Sequence, residues 1–328
     1  MESEIIVLTR RSILRHVALG SAATLSGSLL GCATMNTKGH PVWLDMNQKE
    51  LDDAYSQFIY APNIGRVIDR YDTNSKLVRN RLGEPLKFAY GTEAVESLDV
   101  YPTTKTDAPV HIFIHGGAWQ QETSESYAFP AELFVNAGIH YVVPNFSWIQ
   151  DAGDSLYPIV AQLRAAISWV FENAGKFGGD PDQIYLSGHS SGGHLAGVLL
   201  TTDWEKDAGL PVDVIKGGLC CSGMFDLEPV RLSSRGEYVN FTDEMENAFS
   251  PQRHLDNIRA PLIVAYGSYE TPEFKRQSRD FATAVADAGK PVQLIVAENY
   301  NHFEVIETLA NPHGILGRAA LEQILPSV

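Results

Sequence analysis

The chain has 328 residues, with 44% hydrophobic and 20% charged positions, the texture of a globular protein able to bury a sizeable core. Its net charge of −15 disfavours nucleic acid as a partner, because phosphates would be repelled. Three cysteines do not make a disulfide framework, and no Cys/His spacing suggests a zinc site, so neither a metal nor an organic cofactor is expected.

The N-terminus reads as a targeting segment rather than fold. Thr9-Arg10-Arg11-Ser12-Ile13-Leu14 is a twin-arginine pattern, followed by a weakly apolar run too short to span a bilayer. It ends in Leu29-Leu30-Gly31-Cys32, which resembles a lipobox, with Cys32 as the lipidated residue. Residues 1–31 are therefore expected to be an export signal. The implied location is the bacterial periplasm, or a membrane surface through a lipid anchor on Cys32. A polar linker and two stretches with helical spacing, about 47–59 and 62–81, form an N-terminal extension over 32–84.

From 85 onward short strands alternate with helices. Strands are predicted at 86–90, 97–101, 110–115, 140–146, 183–187, 214–220, 261–266 and 291–297. Helices are predicted at about 127–137, 155–175, 191–203, 272–288 and 303–325, the last interrupted at Pro312. The first strands lack intervening helices and should pair as an antiparallel meander. The rest should form a mostly parallel sheet with helices on both faces, closing an α/β catalytic domain over 85–328. The irregular, polar stretch 224–257 is the natural candidate for a lid. Cys220 and Cys221 are adjacent and read as small buried residues, since a disulfide between neighbours is strained.

Four pieces carry chemistry. Gly188-His189-Ser190-Ser191-Gly192 is a G-x-S-x-G turn between a strand and a helix, and it names the Ser190 hydroxyl as a nucleophile. His115-Gly116-Gly117-Ala118-Trp119 ends a strand and can aim backbone N–H groups at a developing oxyanion. Gly116 and Gly117 are the expected donors, with Ser191 as their partner across the site. His302 follows the last strand and fits a general base. The orienting acid is expected in the loop after strand 261–266. There Glu270 is preferred, Glu273 is a rival at the start of the next helix, and Asp226 is a further alternative one strand earlier. Trp119, Trp148, Phe225 and Phe303 are candidates for an apolar pocket wall, although each aromatic could equally be core.

With these residues in hand, the chain resembles the α/β-hydrolase superfamily. More narrowly it is similar to the esterase and arylformamidase (kynurenine formamidase-like) branch, related to hormone-sensitive-lipase-type esterases. The matching pieces are His115 to Trp119, Gly188 to Leu195, Ser222 to Pro229, Glu270 to Ser278 and Asn301-His302-Phe303, in the family's order. The resemblance implies an eight-stranded α/β-hydrolase fold, a serine hydrolase triad and a small-molecule acyl substrate. The chain departs from the family in carrying Glu270 where the acid is usually Asp. It also carries an export signal where arylformamidases of tryptophan breakdown are cytosolic. The expected activity is thus hydrolysis of a small to medium carboxylic ester, with an N-formyl amide as the alternative. A catalytically silent binding lipoprotein is the reading from another class.

Overall fold

The computed structural model describes residues 39–325. The twin-arginine run and Cys32 lie outside them.

The chain enters through two helices. α1 (Gln48–Ala54) starts at a capping box, in which Asn47 and Glu50 each bind the other's backbone N–H. α2 (Ile64–Leu82) buries Val67, Tyr71, Ser75 and Val78 at helical spacing and stops at Gly83. This extension packs into the body of the molecule. Leu51 and Tyr55 join the core on one side of the sheet, and Val67, Tyr71 and Val78 join the core on the other.

Eight strands follow: β1 (Leu86–Ala89), β2 (Ser97–Tyr101), β3 (Ala108–Ile114), β4 (His140–Pro144), β5 (Gly179–His189), β6 (Ile215–Cys221), β7 (Leu262–Gly267) and β8 (Val292–Ala297). They form one sheet in the order β1-β2-β4-β3-β5-β6-β7-β8. β1 and β2 are antiparallel, as are β2 and β4, and all later pairs are parallel. The expected meander is therefore corrected at its third strand. β3 is an inner strand, and β4 stands between it and β2. The link from β3 through α3 (Ala131–Ala137) returns β4 parallel to β3, and β4's outer edge then receives β2, with Tyr101 opposite Tyr141. Every residue of β3 and β7 is buried, as continuous apolar strands covered on both faces must be.

The covering helices are α4 (Leu156–Asn173), α5 (Ser191–Leu200), α6 (Trp204–Ala208), α7 (Glu228–Leu232), α8 (Asp243–Ala248), α9 (Pro272–Asp287), α10 (Glu304–Glu307) and α11 (Ile315–Ile324). α4 buries Leu156, Ile159, Val160, Leu163, Ile167 and Val170, an i, i+3, i+4 stripe turned to the sheet. Thr271 caps α9 through Phe274 N–H, with Pro272 at the first helical position. The predicted helix at 303–325 is two helices, α10 and α11, broken as expected around Pro312. The helix predicted from 127 begins instead at 131, after the 3₁₀ turn Ser124–Tyr127 and Pro130. The 224–257 stretch buries Met224, Phe225, Leu227, Val230, Val239, Phe241, Met245 and Phe249 against the main core. Among the described helices none is long and apolar enough to cross a membrane.

Candidate active site

The parallel strands deliver their C-terminal ends to one edge of the sheet, and the chemistry-bearing residues collect there. β5 ends at His189, and the chain turns at Ser190 directly into α5. Ser190 adopts φ 60° and ψ −124°, a left-handed conformation costly for a residue with a Cβ. Two hydrogen bonds hold the turn: Ser190 N–H to the Cys221 carbonyl (3.0 Å) and His194 N–H to the Ser190 carbonyl (3.0 Å). Glycine is required on either side. A Cβ at Gly188 would collide with the Gly192 carbonyl oxygen, and one at Gly192 with the carbonyl oxygens of Ile114 and His115.

The turn presents the Ser190 hydroxyl to His302. Ser190 Oγ lies 2.9 Å from His302 Nε2, and His302 Nδ1 lies 2.9 Å from Glu270 Oε2. Since a carboxylate only accepts, the geometry places the imidazole proton on Nδ1 and leaves Nε2 to accept from the serine. Glu270 is fully buried, which an isolated carboxylate would not tolerate. Its other oxygen accepts from the Ser222 hydroxyl (2.6 Å) and Gly267 N–H (2.6 Å). The two rival acids lie elsewhere. Glu273 sits in the first turn of α9, clasped by Arg276 through two bonds of 2.7 Å and reached by the Tyr55 hydroxyl. Asp226 faces Arg253.

The imidazole is further confined. Phe274 and Phe303 stand edge-on to it, with ring centroids 4.9 and 5.1 Å away. His189 Nε2 donates to the His302 carbonyl at 2.8 Å. Burial, reinforced by His302, holds the His189 ring well below its ordinary pKa, so this second histidine stays neutral. His115 likewise is lowered to about 4 by burial. It stacks on Phe146 at 4.3 Å and bonds the Gly116 carbonyl at 2.9 Å, bracing the loop above Ser190.

That loop lies against the serine. A Cβ on Gly116 would stand 3.2 Å from Ser190 Cβ. Gly117 has φ +104°. The two halves of the expected donor set are joined, because Trp119 N–H donates to the Ser191 hydroxyl at 3.2 Å. As the first residue of α5, Ser191 also offers an N–H that the helix leaves without an intrahelical acceptor. The Tyr127 hydroxyl lies beside the same loop, 3.4 Å from where a Cβ on Gly116 would stand, and burial pushes that phenol strongly upward.

The expected pocket aromatics divide. Phe225 is fully buried and stacked on Phe281 at 4.2 Å; it is core, and its reading as a pocket wall is corrected. Trp119 is also enclosed, with its ring edge-on to His194 and the Arg235 guanidinium over its face. Phe303 remains half-buried beside His302. Trp148 lines a cavity of about 660 Å³ together with Glu122, Phe146, Asp151 and Gln162. None of Ser190, Glu270 and His302 lines that cavity. Sequence reasoning gave no role to Ser222 or Arg235, and it reads His189, from its place on the turn, as a packing or capping residue. For Ser222 a signal existed, since it directly follows β6, next to the strand that leads to Glu270. Among the described residues no cluster of three His, Cys, Asp or Glu side chains is arranged to hold a metal.

Strand order, strained serine turn and converging loops are those of an α/β-hydrolase. The BD-FAE family model matches residues 98–216. A kynurenine formamidase from Salmo salar is 32% identical over 283 residues, covering 82% of this chain and 94% of that protein. Esterase LipC of Mycobacterium tuberculosis is 28% identical, over 69% of this chain and 58% of its own length. Among solved structures, one from Silicibacter sp. TM1040, described only provisionally as a thioesterase, superposes with a TM-score of 0.70. It shares 27% identity, over 81% of this chain and 97% of its own. The chain belongs to the esterase and arylformamidase family of α/β-hydrolases, related to the hormone-sensitive-lipase type.

Proposed function

We propose that the protein is a serine hydrolase of small to medium carboxylic esters, working through Ser190, His302 and Glu270. The observation that carries this reading is the unbroken hydrogen-bonded line from Ser190 Oγ through both imidazole nitrogens to a buried carboxylate, each link 2.9 Å. As Ser190 Oγ bonds to the acyl carbon, its proton passes to His302 Nε2, and Glu270 stabilises the resulting imidazolium. The carbonyl oxygen becomes an oxyanion held by the N–H groups of Gly116, Gly117 and Ser191, each worth on the order of 10²–10³ in rate. Having no Cβ, Gly116 also lets the loop approach Ser190. Collapse breaks the ester C–O bond, the leaving alkoxide takes the proton from His302, and water then releases the acyl group by the same steps.

The 32% identity to a kynurenine formamidase over nearly that protein's whole length favours a second reading, hydrolysis of an N-formyl arylamine by the same groups. Steady-state kinetics on an aryl acetate beside an N-formyl arylamine separates the two, and a clear formamide preference overturns the ester reading. A serine-directed phosphonate should label the wild type and not Ser190→Ala. Equal labelling of both, or of neither, would support a silent binding protein instead. The anchor is likewise a proposal: Cys32→Ser should abolish metabolic palmitate labelling and free the protein from the membrane fraction.

A further inference from the structure

Arg235 lies in the 3₁₀ turn Ser234–Glu237, within the polar excursion between β6 and β7. Its guanidinium is held between two rings that border the reacting centre, 5.9 Å from the centroid of Trp119 and 5.9 Å from that of Phe274. Trp119 belongs to the donor loop and is tied by its N–H to the Ser191 hydroxyl. Phe274 stands against the imidazole of His302. The cation thus bridges the two sides of the site.

Its own bonds leave it unneutralised. Nη1 donates to the Tyr238 hydroxyl (2.9 Å) and Nη2 to the Tyr55 carbonyl (3.3 Å). Nε is buried without a partner, and among the described residues no carboxylate forms an ion pair with Arg235. Asp52 accepts from Ser234 N–H of the same turn (2.7 Å) rather than from Arg235, and Glu273, bonded by the Tyr55 hydroxyl, is committed to Arg276. Two further polar groups share the situation. Trp119 Nε1 is buried without an acceptor, and Gln57, two residues beyond the Tyr55 carbonyl that Arg235 binds, is 5% exposed with neither amide atom partnered. Buried donors without acceptors are uncommon in a folded protein, and each needs a partner from outside the chain, whether water, an ion or a ligand.

We infer that Arg235 is a specificity-determining residue that receives a carboxylate carried by the substrate, with Trp119 Nε1 and the Gln57 amide as accessory partners. This rests on the hydrolase reading above and narrows it to acyl compounds bearing an acid group. A guanidinium offers a carboxylate the paired N–H fork that no other side chain supplies. The chain's overall charge of −15 cannot attract an anion, so recognition must be local.

The test compares phenyl acetate, 3-acetoxybenzoate and monophenyl succinate, which carry no carboxylate, one on the leaving group and one on the acyl group. Wild type, Arg235→Met, Arg235→Lys and the distant, exposed Arg318→Gln are assayed together. In Arg235→Met the anionic-to-neutral ratio of kcat/KM should fall by about 30- to 100-fold for one acid ester, the scale of losing a charge-assisted pair. The ester affected tells which side the carboxylate occupies. Arg235→Lys should recover part of the ratio, and Arg318→Gln should leave it alone. A merely structural Arg235 would lower all three substrates together, and a ratio that moves less than about threefold for both acid esters overturns the inference. Calorimetric titration with benzoate keeps the two readings apart, because it needs no turnover. Binding lost in Arg235→Met supports the anion site even if no ester is cleaved, whereas equal affinity in both proteins overturns it.

Discussion

The Ser222 hydroxyl donates to Glu270 Oε1 at 2.6 Å while the opposite oxygen of the same carboxylate receives His302. Ser222 follows β6 with φ 54°, a left-handed backbone for a residue with a side chain, which aims its hydroxyl at a carboxylate on the neighbouring strand's loop. On the proposed mechanism it is a positioning residue, acting on His302 through Glu270. Removing one donor to a buried charge should cost about tenfold in kcat. Ser222→Ala is expected to lower kcat with little change in KM, and Ser222→Thr to restore part of it. A KM effect of similar size would place Ser222 in substrate binding instead.

Glu270 and Glu273 make opposite predictions. Glu270→Gln keeps the shape but loses the charge that stabilises the imidazolium, and kcat should drop by about 10³- to 10⁴-fold. Glu273→Gln leaves the line to Ser190 intact but strands Arg276, which is otherwise held by Glu273 and Asp280. Loss of one member of a largely buried pair costs about 3–5 kcal/mol, toward the lower end here because Arg276 keeps Asp280. Urea denaturation beside steady-state kinetics reads both: Glu270→Gln should damage rate far more than stability, and Glu273→Gln the reverse.

The two glutamates also show what was legible in the sequence. Glu270 could be preferred because it lies in the loop after β7, whereas Glu273 follows Pro272 and had to open a helix. Ser190 and His302 were legible for the same reason, since each sits where a strand ends and a parallel sheet collects its chemistry. The order β2-β4-β3 was not, because a short connection says nothing about which strand fills the space alongside. Phe225 was misplaced because an aromatic side chain is equally apolar in a pocket and in a core. Arg235 was invisible for a different reason. Its neighbours Tyr55, Trp119 and Phe274 come from three distant segments that only the fold assembles.

Cys220 and Cys221 are both free and buried. Burial raises the Cys220 thiol to about 12 and pushes Cys221 higher still, helped by the nearby Glu270 charge. The thiolate is the reactive form, so neither should react with Ellman's reagent in the native protein at pH 8. Both should react once guanidinium unfolds it. Rapid native labelling of either would mean that the end of β6 opens readily.

Five buried histidines should make stability fall with acid, His140 among them because burial lowers its ring too. Burial lowers His111 to about 3 and His115 and His194 to about 4, and it holds His189 well below its ordinary value. In the unfolded chain each protonates near pH 6.5. Between that pH and about 4 the unfolded state therefore binds more protons than the folded state, and stability must drop as pH falls through the window. The loss is about 1.4 kcal/mol per pH unit for each fully responding histidine. Above about pH 7 these groups are neutral in both states and contribute no slope. His111 offers a control, because its ring stacks on Phe134 at 4.1 Å and its Nε2 meets only the Ser187 hydroxyl at 2.7 Å. A His111→Phe, Ser187→Ala double variant replaces both polar partners at once and leaves neither unpaired. Its urea midpoints between pH 7 and pH 5 should fall less steeply than those of the wild type, by about one proton's worth. Identical slopes in the two proteins would mean that His111 takes up its proton within the fold and that its burial does not set the acid limit.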